Sequence, residues 1–263
     1  MYENFAHLYD EFMQTIPAEE WADYIETLLK KHGARPHLVL DLACGTGSLA
    51  LELDRRGYDM IGVDGSEEML QQAGEKVRQA GKSEEILFLC QDMREFELYG
   101  TVDAIICTCD SLNYLLEEED VRQVFSLVEN YLDQGGLFLF DLNTEYKYSE
   151  ILGEQTFADT SEDGAFIWDN YYYEDEKINE YEVTFFEKTE GGLYRRSQET
   201  HYQKAYREED IRKWLEDAHL KVEAVYDSFT LDQPDEQSER ITFVARELRE
   251  KKRYIPEGDE ENV

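Results

Sequence analysis

Positive charge is scarce in this chain of 263 residues, where 26 lysines and arginines face 61 aspartates and glutamates, for a formal net charge of −35. A chain this acidic is repelled by phosphate backbones and by anionic lipid surfaces. Its dense basic runs, Arg195–Arg196 and 249–253, are too short to build a nucleic-acid face. We therefore expect no nucleic acid and no membrane as partner. Steering by this surface charge would favour cations such as amines.

The chain also lacks any apolar run of the ~18 residues that would cross a bilayer. Its first residues, MYENFAHLYDEF, carry neither the basic nor the apolar region of a signal peptide. The cysteines form no CxxC pair and have no histidine at metal-ligand spacing; they are Cys44, Cys90, Cys107 and Cys109. These absences lead us to expect a cytoplasmic protein with reduced thiols and no metal site.

Short apolar runs alternate with helical patterns between residues 37 and 141. The predicted strands are 37–42, 59–63, 85–90, 102–108 and 136–140, and the predicted helices are 47–56, 66–79 and 119–132. This alternation is typical of a parallel sheet with helices on both faces, whose ligands bind beyond the carboxyl ends of the strands. Acidic residues cluster at those ends, namely Asp41, Asp64, Asp92, Asp110 and Asp141.

The pattern changes after residue 144. Residues 165–204 alternate and are rich in aromatics, and Gly191-Gly192 marks a hairpin, so we predict a three-stranded antiparallel β insert after the fifth strand. A helix at 207–218 and strands at 222–226 and 241–245 would then complete a mostly parallel, seven-stranded sheet. The predicted organisation is an N-terminal helical cap (1–36, helix 18–31), a cofactor-binding core (37–144), the insert (145–206), completion of the sheet (207–247) and a charged tail (248–263).

The stretch VLDLACGTG at 39–47 ends a predicted strand in a turn where Gly45 and Gly47 let the backbone approach a ligand. Such a turn followed by an acid such as Asp64 is shared by dinucleotide enzymes and others, and it also occurs as a plain strand-to-helix turn. Asp41 would repel a pyrophosphate but suits the ammonium of a sulfonium amino acid. Asp92 can accept a hydrogen bond from an adenine amino group.

Four stretches in order resemble the successive motifs of class I S-adenosylmethionine-dependent methyltransferases: DLACGTG (41–47), VDGSEEML (63–70), FLCQDMREF (88–96) and CTCDSLNYL (107–115). The opening YENFAHLYDEFM and EEWADYI resemble a subgroup of small bacterial methyltransferases that is similar to the sugar-amine N-methyltransferases. The resemblance runs to about residue 144 and resumes in the last two strands. It implies a Rossmann-like α/β fold, S-adenosyl-L-methionine as cofactor and an insert that varies with the substrate.

The resemblance also implies roles for the matching positions. Asp41, Ala43, Gly45 and Gly47 would line the methionine end of the cofactor. Asp64 would hold the ribose hydroxyls, with Gly65, Met69 and Met93 at the adenine and Asp92 on its amino group. Cys109 and Asp110 would border the transferable methyl, and Tyr9 and Trp21 would close the pocket. Met69 and Trp21 also fit as ordinary core residues.

Methyl transfer from a sulfonium requires positioning and exclusion of water, and a general base only where the acceptor must lose a proton. The candidates for such a base are Asp110, Asn113, Tyr114 and His201, the last of which also fits a packing role in its strand. Tyr171 and Tyr173 share one face of a strand, where they would form an aromatic box for an ammonium or pack the sheet.

The function expected is methyl transfer to a small-molecule acceptor, and the acidic surface favours an amine. The alternatives are a cofactor-binding regulator without turnover and a nicotinamide-dependent oxidoreductase, which Asp41 and the missing second nucleotide-binding half disfavour. The sequence does not identify the acceptor. The insert also offers a surface for a homodimer, which no sequence feature directly supports.

Overall fold

The computed structural model describes residues 16–82, 85–162, 164–189 and 191–248. Its helices are α1 (Ala18–Lys31), α2 (Ser48–Arg55), α3 (Glu67–Gln79), α4 (Glu118–Tyr131) and α5 (Glu208–Asp217). Its strands are β1 (Leu38–Leu42), β2 (Asp59–Asp64), β3 (Leu87–Cys90), β4 (Val102–Cys107), β5 (Leu132–Asn143), β6 (Thr156–Thr160), β7 (Gly164–Tyr173), β8 (Ile178–Lys188), β9 (Tyr194–Lys204), β10 (Leu220–Asp227) and β11 (Arg240–Glu247). Short helical turns cover Ser111–Tyr114 and Lys147–Leu152.

The main sheet has seven strands in the order β10-β11-β5-β4-β1-β2-β3. The strands from β3 to β5 pair in parallel, and β11 runs antiparallel to both β5 and β10. The predicted Rossmann-like, mostly parallel sheet of seven strands is therefore confirmed. Successive strands build outward in opposite directions from β1 and β4, so a crevice opens between the carboxyl ends of these two strands.

Each face of the main sheet carries its own apolar layer because alternate strand residues point to opposite sides. In β5, Phe138 and Phe140 belong to the layer that contains α4 and α5. Leu137 and Leu139 belong to the layer that contains α1 and α2. Phe140 pairs with Phe243 of β11, and their rings stack with centroids 4.8 Å apart. Both layers hold the strand ends in fixed positions at the crevice.

The helix boundaries follow local signals. The predicted helix 18–31 matches α1, and Ser66 caps α3, since the Met69 amide donates to its Oγ at 3.2 Å. Within the described ranges, no helix has both the length and the apolarity that a membrane crossing requires.

The insert forms a second, antiparallel sheet in the order β6-β7-β8-β9. The predicted antiparallel insert is confirmed, but the prediction of three strands is wrong because β6 adds a fourth. This strand lies at the sheet edge with four of its five residues exposed, so it lacks the apolar alternation that identifies a strand. Its inward residue, Phe157, packs on Trp168 with ring centroids 5.2 Å apart.

Candidate active site

A cavity of about 570 Å³ lies beyond the carboxyl ends of the parallel strands, between the main sheet and the inner face of the insert sheet. One part of its wall, the sheet-edge half, is formed by Ala43, Gly45, Asp64, Gly65, Asp92 and Met93. The other part, the insert-side half, is formed by Lys147, Trp168, Tyr181, His201, Gln203 and Arg240. Trp21, Met69, Cys109, Asp110 and Tyr114 also line the cavity. The structure thus brings most of the predicted site residues to one cavity.

Asp64 ties the turn after β1 to the end of β2. Its Oδ2 accepts a hydrogen bond from the Gly45 amide and its Oδ1 accepts one from the Ser66 amide, both at 2.8 Å. Burial raises the pKa of the Asp64 carboxyl, while these two amides act in the opposite direction. Each oxygen retains a further lone pair for a ligand in the cavity.

Asp41 lies behind this turn rather than on the cavity wall, with only 1 % of its surface exposed. Its Oδ2 has no hydrogen-bond partner among the described residues. Burial, reinforced by the charge of Asp64, raises the pKa of Asp41 to about 7. A carboxyl in this state gains a strong electrostatic benefit from a nearby cation, because opposite charge favours its ionised form.

The two glycines of the turn differ in what they do. A Cβ on Gly45 would point into open space, whereas a Cβ on Gly47 would come within 2.8 Å of Ala73 and 2.9 Å of Phe88. Gly47 therefore faces α3 and β3, and its packing role explains why it is absent from the cavity lining. Both glycines have a positive φ, at 53° and 69°.

Three residues other than glycine also have a positive φ on the cavity wall: Ala43 (62°), Cys109 (59°) and Asp110 (52°). Ala43 follows β1, and the other two follow β4, so they flank the crevice between these strands. Such backbone strain costs ~1–3 kcal/mol per residue and concentrates where a ligand site needs a specific backbone path.

Asp92 lies at the rim, where it is bound to Arg94. Its Oδ2 accepts from Arg94 Nη2 at 2.6 Å and its Oδ1 accepts from the Arg94 amide at 2.8 Å. The hydrogen bond from the Arg94 guanidinium is the main reason that the pKa of Asp92 is lowered, so this carboxylate stays ionised. Arg94 is a further lining residue that the motif QDM did not predict as functional.

Asp110, Asp141 and Arg240 form a buried charge cluster where β4, β5 and β11 meet. Arg240 donates to Asp110 Oδ1 at 2.6 Å and to Asp141 Oδ2, and the Asp110 amide donates to the same Asp141 oxygen at 3.0 Å. Burial raises the pKa of Asp141. Burial acts in the same direction on Asp110, but the charges of Arg240 and Lys147 outweigh it and lower the pKa of Asp110. Arg240 also lies 5.9 Å from the centre of the Trp21 ring.

Gln203 joins this cluster to the insert sheet. Its Nε2 donates to Asp110 Oδ2 at 2.6 Å, and its Oε1 accepts from the hydroxyls of Tyr148 at 2.9 Å and Tyr181 at 2.5 Å. Both oxygens of Asp110 are therefore engaged by protein groups. Gln203 was missed although it stands two residues after His201, and the period of two in a strand places both on one face.

His201 is buried on that inner face, with its Nε2 3.4 Å from Glu199 Oε2 and its ring centre 6.0 Å from that of Tyr114. Tyr171 and Tyr173, in contrast, lie on the outer face with 46 % and 45 % of their surfaces exposed. The aromatic box predicted from these two tyrosines is therefore not part of the cavity.

Asn113 is fully buried and does not line the cavity. Its Oδ1 accepts from the Asn143 amide at 3.0 Å, and its Nδ2 donates to the carbonyl oxygens of Asn143 at 3.2 Å and Lys204 at 2.8 Å. This side chain fastens the end of β9 to the end of β5, which is a structural role. Tyr9 lies outside the described residues.

The comparisons with known proteins agree with this architecture. Residues 39–136 match the model of a family described as "Methyltransferase domain". The chain is 38 % identical over 247 residues to "Putative methyltransferase YqeM" of Bacillus subtilis (strain 168), covering 94 % of this chain and 97 % of that protein. It is 32 % identical to an S-adenosylmethionine-dependent methyltransferase of known structure from Clostridium acetobutylicum ATCC 824, with a TM-score of 0.84 over 94 % of this chain and 99 % of the other. The chain belongs to the S-adenosylmethionine-dependent methyltransferases.

This methyltransferase also shares its fold with the sugar N-methyltransferase KedS8 from Streptoalloteichus sp ATCC 53650. The two superpose with a TM-score of 0.76 at 20 % identity, over 94 % of each chain. The cofactor of the present methyltransferase is S-adenosyl-L-methionine. The buried Asp41 carboxyl, which has an oxygen without a hydrogen-bond partner among the described residues, fits the cationic end of that molecule. Family membership leaves the nicotinamide-dependent alternative without support.

Proposed function

We propose that this methyltransferase methylates a small-molecule amine, with the cofactor in the sheet-edge half of the cavity and the acceptor in the insert-side half. The observation that carries the proposal is the division of one cavity between two sheets. Its volume of about 570 Å³ lies within the range of ~300–1,000 Å³ that is usual for small-molecule sites. A cavity of this size favours a small acceptor over a macromolecule.

In the sheet-edge half, Asp64 would hold the ribose hydroxyls with the lone pairs left free by Gly45 and Ser66. Asp92 would accept from the adenine amino group, with Gly65, Met69 and Met93 around the ring. Ala43 and Gly45 would border the methionine end, with Asp41 acting on its ammonium from behind the turn. When bound, the cofactor supplies an electrophilic methyl group on its sulfonium sulfur, which Cys109 would border while Trp21 covers the pocket.

The residues of the protein would position the two reactants and exclude water from them. Trp168 and Tyr181 line the insert-side half, and the Asp110–Gln203 hydrogen bond fixes this wall relative to the main sheet. Holding two reactants in register can lower a barrier by ~7–11 kcal/mol. This supports a mechanism in which positioning of the reactants and exclusion of water account for most of the lowering of the barrier.

Among the candidate bases, His201 is better placed than Asn113 and Asp110. Asn113 does not line the cavity, and both Asp110 oxygens are occupied by Arg240 and Gln203. The His201 imidazole lines the cavity and has a carboxylate neighbour in Glu199 that can orient it. An amine acceptor that enters as an ammonium would lose its proton to His201 before attack.

Amine methylation is supported by two observations. The acidic surface attracts cations, and KedS8, which shares the fold over 94 % of each chain, is described as a sugar N-methyltransferase.

Isothermal titration with S-adenosyl-L-methionine and S-adenosyl-L-homocysteine, with NAD as a control, tests the cofactor assignment. Acceptors are then offered as matched pairs that differ only in amine against hydroxyl, such as glucosamine and glucose. S-adenosyl-L-homocysteine formation is measured, and product mass locates the methyl group. We expect turnover with amines alone. Turnover restricted to hydroxyl or carbon acceptors would overturn the amine assignment, and cofactor binding without any turnover would favour a regulator.

A further inference from the structure

Lys147 stands at the boundary between two cavities. It lines the main cavity and a second one of about 500 Å³, whose wall includes Asp227, Ser228, Ser238 and Glu239. The second cavity shares Ile16, Lys147 and Arg240 with the first. Lys147 begins the short helical segment that follows β5, so its backbone position is set by the main sheet.

The side chain of Lys147 is an ammonium without a carboxylate partner. Its Nζ donates to the neutral Asn143 Oδ1 at 3.0 Å, and no acid among the described residues forms an ion pair with it. The neighbouring cation, Arg240, forms ion pairs with both Asp110 and Asp141. Of these two cations at the same end of the cavity, Arg240 is therefore ion-paired and Lys147 is hydrogen-bonded to a neutral group.

Scarcity of anions does not explain this difference, since acids outnumber bases by 61 to 26 in the chain. Burying an ammonium without a carboxylate in direct contact is unfavourable. Burial, followed by the charge of Arg240, lowers the pKa of Lys147, although the charges of Asp110, Glu239 and Asp141 act in the opposite direction. Anchoring Asn143 does not require a charge either, because Asn113 already binds both backbone groups of Asn143. The position instead suits a residue that receives its counter-charge from a ligand.

We infer that Lys147 binds an anionic group of the methyl acceptor, a carboxylate or a phosphate, so that the acceptor is an amine that also carries negative charge. This inference rests on the proposed function. The amine nitrogen would lie in the main cavity near Cys109, and the anionic group would lie against the Lys147 ammonium on the wall of that cavity. The cofactor's own carboxylate is the competing anion, and the experiment separates the two.

The binding experiment needs no knowledge of the acceptor. Protein saturated with S-adenosyl-L-homocysteine is titrated with inorganic phosphate and, separately, with acetate, and tryptophan fluorescence is followed because Trp168 and Trp21 line the cavity. The variants are Lys147→Met, Lys147→Arg and, as a matched control, Lys177→Met, whose ammonium pairs with Glu145 at 2.5 Å.

We expect Lys147→Met to weaken binding of at least one of the two anions by about tenfold or more, as for loss of a charged hydrogen bond. Lys147→Arg should retain most of the affinity and Lys177→Met all of it. Affinity for S-adenosyl-L-homocysteine should be the same in all four proteins. Unchanged anion binding in Lys147→Met, or a parallel loss of S-adenosyl-L-homocysteine affinity, would overturn the inference, the second by assigning Lys147 to the cofactor.

A turnover experiment separates this inference from the proposed function. Amines are compared in pairs with and without an anion, such as glucosamine 6-phosphate with glucosamine and β-alanine with propylamine. We expect the anionic member of at least one pair to have the higher kcat/KM, and Lys147→Met to remove that preference. Preference for neutral amines would overturn the role of Lys147 while the proposed function stands. If no amine reacts, the proposed function fails and the anion titration still decides whether Lys147 is an anion site.

Discussion

The two halves of the cavity are built in different ways. In the sheet-edge half, groups that meet are close in sequence, as with Gly45 and Asp64, which are 19 residues apart. In the insert-side half, Asp110 meets Arg240 across 130 residues and Gln203 across 93. The first half uses backbone amides whose positions follow from strand register, and the second uses buried side chains that depend on one another.

This difference determines how each half should fail. Removing one group from the sheet-edge half leaves the neighbouring strands and turns in place, so the loss should appear in ligand affinity. Removing one member of the buried charge cluster leaves its partners unpaired inside the protein, so the loss should appear in stability. The predictions below test this contrast, from the largest expected effect to the smallest.

Arg240→Gln should have the largest effect. It leaves Asp110 and Asp141 buried without their cation, which typically costs ~3–5 kcal/mol in the free energy of unfolding. Arg240 holds the pKa of Asp110 below its usual value, so the contribution of that carboxylate to wild-type stability is present above the unfolded pKa and is lost as the pH falls through the folded one. In the variant the unpaired carboxylates instead favour protonation. The difference in the free energy of unfolding between wild type and variant, the stability gap, should therefore become smaller as the pH falls from 8 to 5.

Urea unfolding at the two pH values measures this gap. Arg212→Gln is the control, because it removes an arginine whose ion pair, with Glu208 one helical turn earlier, lies at the protein surface. A gap at pH 8 no larger than that of the control would refute the assigned role of the charge cluster.

Asp64→Asn should weaken cofactor binding while leaving most of the stability. The Gly45 and Ser66 amides donate to different oxygens of the Asp64 carboxylate. An asparagine has a single acceptor oxygen, so it cannot accept from both amides and from a ligand hydroxyl as the carboxylate can. We expect S-adenosyl-L-homocysteine to bind about 100-fold more weakly, equivalent to ~2.7 kcal/mol. Asp59→Asn, at the exposed opposite end of β2, is the control for titration calorimetry. A change of less than about threefold would contradict this role for Asp64.

The contrast between the halves also explains what the sequence could reveal. The seven-stranded sheet, the cap at Ser66 and the position of Asp64 at a strand end near the glycine turn could be predicted, because each follows from strand and helix patterns that are local in the sequence. Arg240 and Lys147 had no local signal. They reach the cavity only through pairing of β11 with β5 and through the segment after β5.

Two of the predicted site residues make contacts that the sequence did not reveal, for the same reason. Asn113 lies in a functional motif, yet the backbone groups that it binds belong to β5 and β9. Gly47 fits the pattern of a ligand-binding glycine, yet the atoms that exclude a side chain there belong to Ala73 and Phe88. In both cases the deciding neighbours are distant in sequence and appear only in the folded chain.

Asp41 should make cofactor affinity depend on pH. Its pKa of about 7 means that it is mostly protonated at pH 6 and mostly ionised at pH 8. The cofactor's ammonium favours the ionised form, so binding should release a proton and tighten by up to about tenfold as the pH rises through this range. In the absence of ligand the sign is reversed for stability, since a raised carboxyl pKa makes Asp41 progressively destabilising above its unfolded pKa.

Calorimetry of S-adenosyl-L-homocysteine binding at pH 6, 7 and 8, in buffers of different ionisation enthalpy, counts the released protons. Asp41→Asn is the matched variant, and its profile reports titration of the ligand's own amine alone. The assignment would be wrong if the variant and the wild type showed the same pH dependence.

Ala43→Gly should produce the smallest effect and one of opposite sign, a gain in stability. Ala43 has a φ of 62°, a conformation that costs a non-glycine residue ~1 kcal/mol or more, whereas glycine adopts it freely. The greater freedom of glycine in the unfolded chain offsets part of this gain, so we expect the free energy of unfolding to rise by up to ~1 kcal/mol. Ala80→Gly is the control, because Ala80 ends α3 with a φ of −77° and has no such strain to relieve. If Ala43→Gly is less stable than Ala80→Gly, the turn after β1 depends on the alanine methyl itself, and the sheet-edge half is then not built from backbone alone.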